Sequence, residues 1–122
     1  MTDFVHLHVH SQYSFLDGAI RVKDLVKRAK DMGAPAVALT DHGNMFGAIS
    51  FYKACKDAGI KALLGCELNV VGDGKGDRRD LRKDPQSGAG KHLVVLAKDD
   101  VGYKNLIYLV SRYFWILSDK FF

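Results

Sequence analysis

A chain of 122 residues, 48% hydrophobic and 26% charged, has the composition of an ordinary globular protein, enough for one domain or part of one. Its net charge of +4 is too small for a dedicated nucleic-acid binder, and two cysteines, Cys55 and Cys66, without a C-x-x-C spacing, point to free thiols in a reducing compartment rather than a disulfide framework. No apolar run approaches the roughly 18 residues of a membrane span, and Met1-Thr2-Asp3-Phe4 does not open a secretory signal, so the expected location is cytoplasmic.

Phe4 to His10 reads as a first strand. Within it, His6-Leu7-His8-Val9-His10 alternates imidazole with aliphatic, so on a strand the three rings share one face and Leu7 and Val9 take the other. Imidazoles at i and i+2 stand about 6–7 Å apart along a strand, close enough for two of them to hold one metal ion. Ser11 follows, and Leu16-Asp17-Gly18 is a turn signal. A helix is expected from Ile20 to Met32, with Val22, Leu25, Val26, Ala29 and Met32 as its apolar stripe and Lys23, Lys27, Arg28 and Lys30 on the other side. Gly33 and Pro35 close it.

Ala36 to Thr40 is a short apolar strand that runs into Asp41-His42-Gly43-Asn44. A second helix is expected over Phe46–Ala58, closed by Gly59, and a third strand over Ala62–Val71, interrupted by Gly65 and Glu67. Gly72 to Lys91 holds five glycines, one proline and many charges, and is expected to be an exposed, mobile loop. Its basic residues (Lys75, Arg78, Arg79, Arg82, Lys83 and Lys91) are offset by four aspartates, which favours a solvated loop over a phosphate-binding one. His92 to Ala97 is a fourth strand, and Asp99 or Asp100 can cap a last helix running to Leu117.

Strands alternating with helices imply an α/β fold with parallel strands. Sites in such folds gather where the strands end. His8 and His10 close the first strand, Asp41 and His42 follow the second, and Glu67 lies late in the third. Imidazole nitrogen with carboxylate oxygen suits Zn²⁺, Mn²⁺ or Fe. A carboxylate such as Glu67 can bridge two ions, and paired divalent ions suit phosphoester hydrolysis. Thr40 or Asp41 is placed to orient His42, and Cys66 is expected to be a small core residue.

These motifs together carry a resemblance. His6-Leu7-His8-Val9-His10-Ser11, Tyr13-Ser14, Leu16-Asp17-Gly18, Ala38-Leu39-Thr40-Asp41-His42-Gly43-Asn44-Met45, Gly59-Ile60-Lys61 and Gly65-Cys66-Glu67 stand in the order and spacing of a PHP (polymerase and histidinol phosphatase) domain. Gly102-Tyr103-Lys104-Asn105-Leu106 resembles the branch at the N-terminus of bacterial replicative DNA polymerase III alpha subunits. The resemblance implies a distorted (β/α)7 barrel, of which this chain would hold the first three to four βα units: residues 1–112 as the N-terminal part of the domain, and 113–122 as a tail departing from the pattern. It implies metal ligands at His8, His10, Asp17, His42, Glu67 and His92, with His6 structural.

A cluster of Zn²⁺ or Mn²⁺ is implied with those ligands, together with a metal-dependent phosphoesterase or 3′–5′ proofreading exonuclease activity. DNA would be reached through the parent polymerase, whose own Mg²⁺ site is absent from this sequence. Other replicase subunits are implied as partners, and no membrane. Two other functions stand beside this one, a free-standing PHP-family phosphatase and a non-catalytic docking module. The family's later ligands have no place in 122 residues. The chain alone is therefore expected to bind metal weakly, to turn over little, and to associate through an open sheet edge.

Overall fold

The computed structural model describes residues 4–70 and 91–118. Their elements are α1 (Val22–Asp31), β1 (Ala36–Leu39), α2 (Ala48–Ala58), β2 (Lys61–Val70), β3 (Lys91–Leu96) and α3 (Asp100–Ser118). Each expected element after residue 20 is present, with ends within two residues of the sequence reading. The helix stops follow local chemistry. Gly33 and Gly59 take positive φ (71° and 75°), where a side chain would be strained. Asp99 caps α3, its Oδ1 accepting the Gly102 amide at 2.9 Å. The loop expected over 72–91 lies, except for Lys91, outside the described residues.

Two expectations are corrected. The first concerns Phe4–His10, which forms no regular strand. It runs beside β1 with two backbone bonds, Ala38 N–H to the His6 carbonyl (3.0 Å) and Thr40 N–H to the Val9 carbonyl (2.9 Å). Three residues on one side therefore span two on the other, as in a bulge, and the ladder cannot continue. The Thr40 hydroxyl takes over, accepting the Val9 amide at 2.9 Å and donating to the Val9 carbonyl at 3.2 Å. This break separates His6 from His8 and His10.

The second correction concerns the last strand. β1 and β2 are parallel, from Ala36↔Lys61 to Leu39↔Leu64. β2 and β3 are antiparallel, from Gly65↔Leu96 to Val70↔Lys91. A parallel return needs a crossover, usually a helix packed on the sheet. The glycine- and charge-rich sequence of 71–90 has no apolar stripe to build one. β3 runs back along β2, and His92 pairs with Asn69 at the end of β2. A parallel strand would have carried it to the opposite rim.

β2 has a helix-covered face and a site face. Its even-numbered residues Ala62 and Leu64 pack on the core formed by Val22, Val26, Val37, Phe51 and Cys55 of α1, β1 and α2. Cys66 and Leu68, further along that face, pack with Leu106 and Val110 of α3. Side chains alternate along a strand, so Glu67 points to the other face, with its cross-strand neighbour Val94 and the next pair, Asn69 and His92.

Gly65 stands where β2 exchanges β1 for β3. A Cβ there would meet the Val95 carbonyl oxygen at 2.5 Å and Thr40 Cγ2 at 3.0 Å. Because the nearer obstacle is backbone, relief requires moving β3. Gly65→Ala is expected to destabilise the chain by about 1–3 kcal/mol, the range for overpacking, as measured by urea unfolding followed by circular dichroism. A variant as stable as the parent would show that β3 is not fixed against this position.

Candidate metal centre

Glu67 is the centre of the polar face. Its side chain is 2% exposed, and both carboxylate oxygens face imidazole nitrogens. Oε2 meets Nε2 of His8 at 2.8 Å and Nε2 of His10 more closely still. Oε1 meets Nδ1 of His92 at 2.5 Å. His42 completes the set. The ligand atoms of His8, His10 and Glu67 lie within 4.8 Å of one another, and so do those of His42, Glu67 and His92. The two groups share only Glu67. The rings form a chain of edge-to-face neighbours, with centroids 5.1 Å apart for His8–His10, 6.1 Å for His10–His42 and 4.9 Å for His42–His92.

The backbone explains this convergence. His42 pairs with Glu67 as an isolated parallel bridge beyond the end of β1. The Glu67 amide donates to the Asp41 carbonyl at 3.0 Å, and the Gly43 amide to the Glu67 carbonyl at 2.9 Å. The second bond needs the chain to turn at once after His42, which Gly43 permits at φ 66°.

Asp41 is the residue whose part the sequence reading underestimated. It is 1% exposed and points away from His42 into the loop after His10. Its Oδ1 accepts the Ser11 amide at 2.6 Å and the Ser14 hydroxyl at 2.7 Å, and its Oδ2 accepts the Ser11 hydroxyl at 2.7 Å. The Ser14 oxygen in turn accepts the His42 amide at 2.9 Å. One buried carboxylate thus ties the segment bearing His8 and His10 to the segment bearing His42. Charged hydrogen bonds of this kind are the stronger class. The serines at each end of Ser11-Gln12-Tyr13-Ser14 gave no local signal of this, because their acceptor lies about thirty residues away in the sequence.

Asp17 is not gathered in. It is exposed, belongs to neither ligand group, and its amide bonds the Ser14 carbonyl at 3.1 Å just after Leu16 at φ 72°. His6 is exposed and packs edge-on to Phe4, with centroids 4.7 Å apart. Thr40 serves Val9 rather than His42. Cys66 is fully buried, as expected of a core thiol.

The electrostatics follow from burial and partners. Burial pushes the Glu67 carboxyl up, but hydrogen bonds from His8, His10 and His92, with the charge of His10, outweigh it and hold the group at about 2, below its usual 4.5. Burial pushes the thiols of Cys55 and Cys66 up to about 11, so neither supplies thiolate at neutral pH.

Comparison with known proteins gives the family. The model of the PHP domain matches residues 6–121. The chain belongs to the PHP domain family. It is 52% identical over 109 residues to DNA polymerase III subunit alpha of Treponema pallidum, covering 89% of this chain and 9% of that protein. It is 45% identical over 111 residues to DNA polymerase III subunit alpha of Chlamydia pneumoniae, covering 91% and 9%. The chain thus spans about a tenth of the length of these relatives.

Two solved structures share the fold. One, from Bifidobacterium adolescentis, is assigned as a metal-dependent phosphoesterase (TM-score 0.51, 30% identity, covering 59% of this chain and 24% of that one). The other is an amidohydrolase from Chromobacterium violaceum with bound sulfate and no metal (TM-score 0.55, 28% identity, covering 78% and 27%).

Two measurements check the electrostatics. A carboxyl held at about 2 when folded contributes stability that is complete above 4.5 and is lost as pH falls towards 2. Metal-free protein is therefore expected to lose stability over that window, and Glu67→Gln to flatten the loss. Identical acid-unfolding curves would contradict the assignment. Both cysteines are expected to resist a thiol-specific chromogenic disulfide at pH 8, and to react at once in denaturant.

Proposed function

We propose that this chain is the metal-binding part of a PHP phosphoesterase site in a DNA polymerase III alpha subunit, acting on phosphodiesters as a 3′–5′ exonuclease. The observation that carries the proposal is the division of Glu67. One oxygen faces His8 and His10, and the other faces His92 beside His42. Two ligand groups that share only this carboxylate would suit a pair of divalent ions.

The donor set suits a divalent metal, since every ligand is an imidazole nitrogen or a carboxylate oxygen. Zn²⁺ or Mn²⁺ is the proposed identity. His8, His10 and Glu67 would hold one ion, and His42, Glu67 and His92 the other. Divalent ions there would supply hydroxide near neutral pH and positive charge for the leaving oxygen. The protein's own contribution is positional. Asp41 fixes the spacing of His10 and His42 through Ser11 and Ser14, and Gly43 fixes His42 against Glu67.

His8 and His92 have side chains more than half exposed, so the centre opens to solvent on the side where they stand. A phosphodiester can approach there while Glu67 stays dry. In the proposed setting the substrate is the 3′ end of DNA held by the parent polymerase, with other replicase subunits nearby in the cytoplasm. The resemblance adds Asp17 to the proposed ligands, and that assignment rests on the resemblance alone.

Zn²⁺ titration monitored with a competing chromophoric chelator tests the reading. Two equivalents are expected, reduced to one in His10→Ala and to none in Glu67→Ala. A single equivalent indifferent to Glu67→Ala would overturn it. Asp41→Ala, which removes no proposed ligand, is expected to weaken binding about 10–100-fold, the usual cost of losing a residue that orients ligands. The 122-residue chain is expected to cleave bis(p-nitrophenyl) phosphate negligibly, and a longer polymerase chain containing it to remove 3′-terminal nucleotides in a Glu67-dependent manner.

A further inference from the structure

The helix-covered side of the sheet carries a second feature, remote from Glu67 and independent of the metal reading. α1 and α2 leave a groove of about 560 Å³ between them. Lys23, Lys27 and Lys30 form one rim and Lys53 stands on the other. At 3.6 residues per turn, i, i+4 and i+7 fall on one helix face, so the three α1 lysines form a row about 10 Å long, or two turns. The accessible floor is apolar, made by the half-buried Ala54 and Ala58 over the buried Val26. Asp57 is the one acidic group among the lining residues.

We propose that this groove docks an acidic, amphipathic segment of a partner protein, two helical turns long. The charge argument selects the sign, since four ammonium groups against one carboxylate favour an anionic partner. The floor selects the chemistry. A phosphate backbone would meet the lysine tips and leave the methyls of Ala54 and Ala58 facing polar atoms, whereas apolar side chains along one helical stripe would cover them and place glutamates against both rims. Two further absences oppose a nucleic acid. No arginine lines the groove to grip phosphate in two places, and no aromatic ring offers a surface for a base.

The test uses a fluorescein-labelled 18-residue peptide with leucine along one helical stripe and glutamate flanking it, titrated with the 122-residue chain and followed by anisotropy. A scrambled peptide of the same composition and a labelled single-stranded dT20 are the comparisons. Saturable binding is expected for the amphipathic peptide, weakened by 0.5 M NaCl and about tenfold weaker in Lys27→Glu/Lys53→Glu, as for removal of paired charges at an interface. Lys27→Gln/Lys53→Gln, a gentler change, is expected to give a smaller loss in the same direction. Circular dichroism and Zn²⁺ uptake are expected to be unchanged in both, which separates this surface from the metal centre. Equal binding of the scrambled peptide, undiminished binding in the charge-reversed variant, or binding of dT20 without the peptide would each overturn the proposal.

Discussion

A carboxylate removed from water is costly unless its charge is met where it lies. Glu67 meets that condition with three imidazoles, and much of the fold can be read as what it takes to deliver them. The first two come from an N-terminal segment that forms no ladder of its own. The third comes from a strand entering from the far side of the sheet. The helices need only cover the opposite face of β2, which Ala62, Leu64, Cys66 and Leu68 provide. Strand alternation divides this labour: one residue faces the chemistry and the next faces the core.

A second buried carboxylate acts as the brace. Asp41 does not touch the imidazoles, but its acceptors are filled by Ser11 and Ser14, and Ser14 holds the His42 backbone. Two acidic residues therefore divide the work, Glu67 facing the imidazoles and Asp41 facing the loop that carries two of them. Their environments differ accordingly, the first ringed by titratable nitrogens and the second by hydroxyl and amide donors that keep their protons at every pH of interest.

The sequence was informative wherever a periodic pattern met a terminator. α1 was legible because Val22, Leu25, Val26 and Ala29 recur at helical spacing before Gly33, and α3 because Asp99 precedes an apolar stripe. His8, His10, His42 and Glu67 were legible as a group because strand ends in α/β folds share a rim. What escaped was decided by contacts distant in sequence. The alternation of His6 to His10 looked like a strand, but Thr40, some thirty residues on, supplies a hydroxyl in place of the ladder. The direction of β3 goes with what the sequence before it lacks, an apolar stripe for a crossover helix, and an absent pattern is a weak signal. Asp41 was visible as a polar residue at a strand end, but its direction was not, because nothing local says which of its neighbours will hold donors.

The antiparallel return of β3 also bears on how the chain tolerates change. Val70 and Lys91 are paired neighbours, so the segment between them leaves and re-enters the sheet at the same place. Its ends are held by the ladder. The entropy of closing such a segment grows only logarithmically, about 0.6 kcal/mol for each doubling of length. A connection of this kind can lengthen, shorten or change composition at little cost while Asn69 and His92 stay in register. The pairing of Val70 with Lys91 thus keeps the rim residues Asn69 and His92 in place independently of the length of chain that joins the two strands.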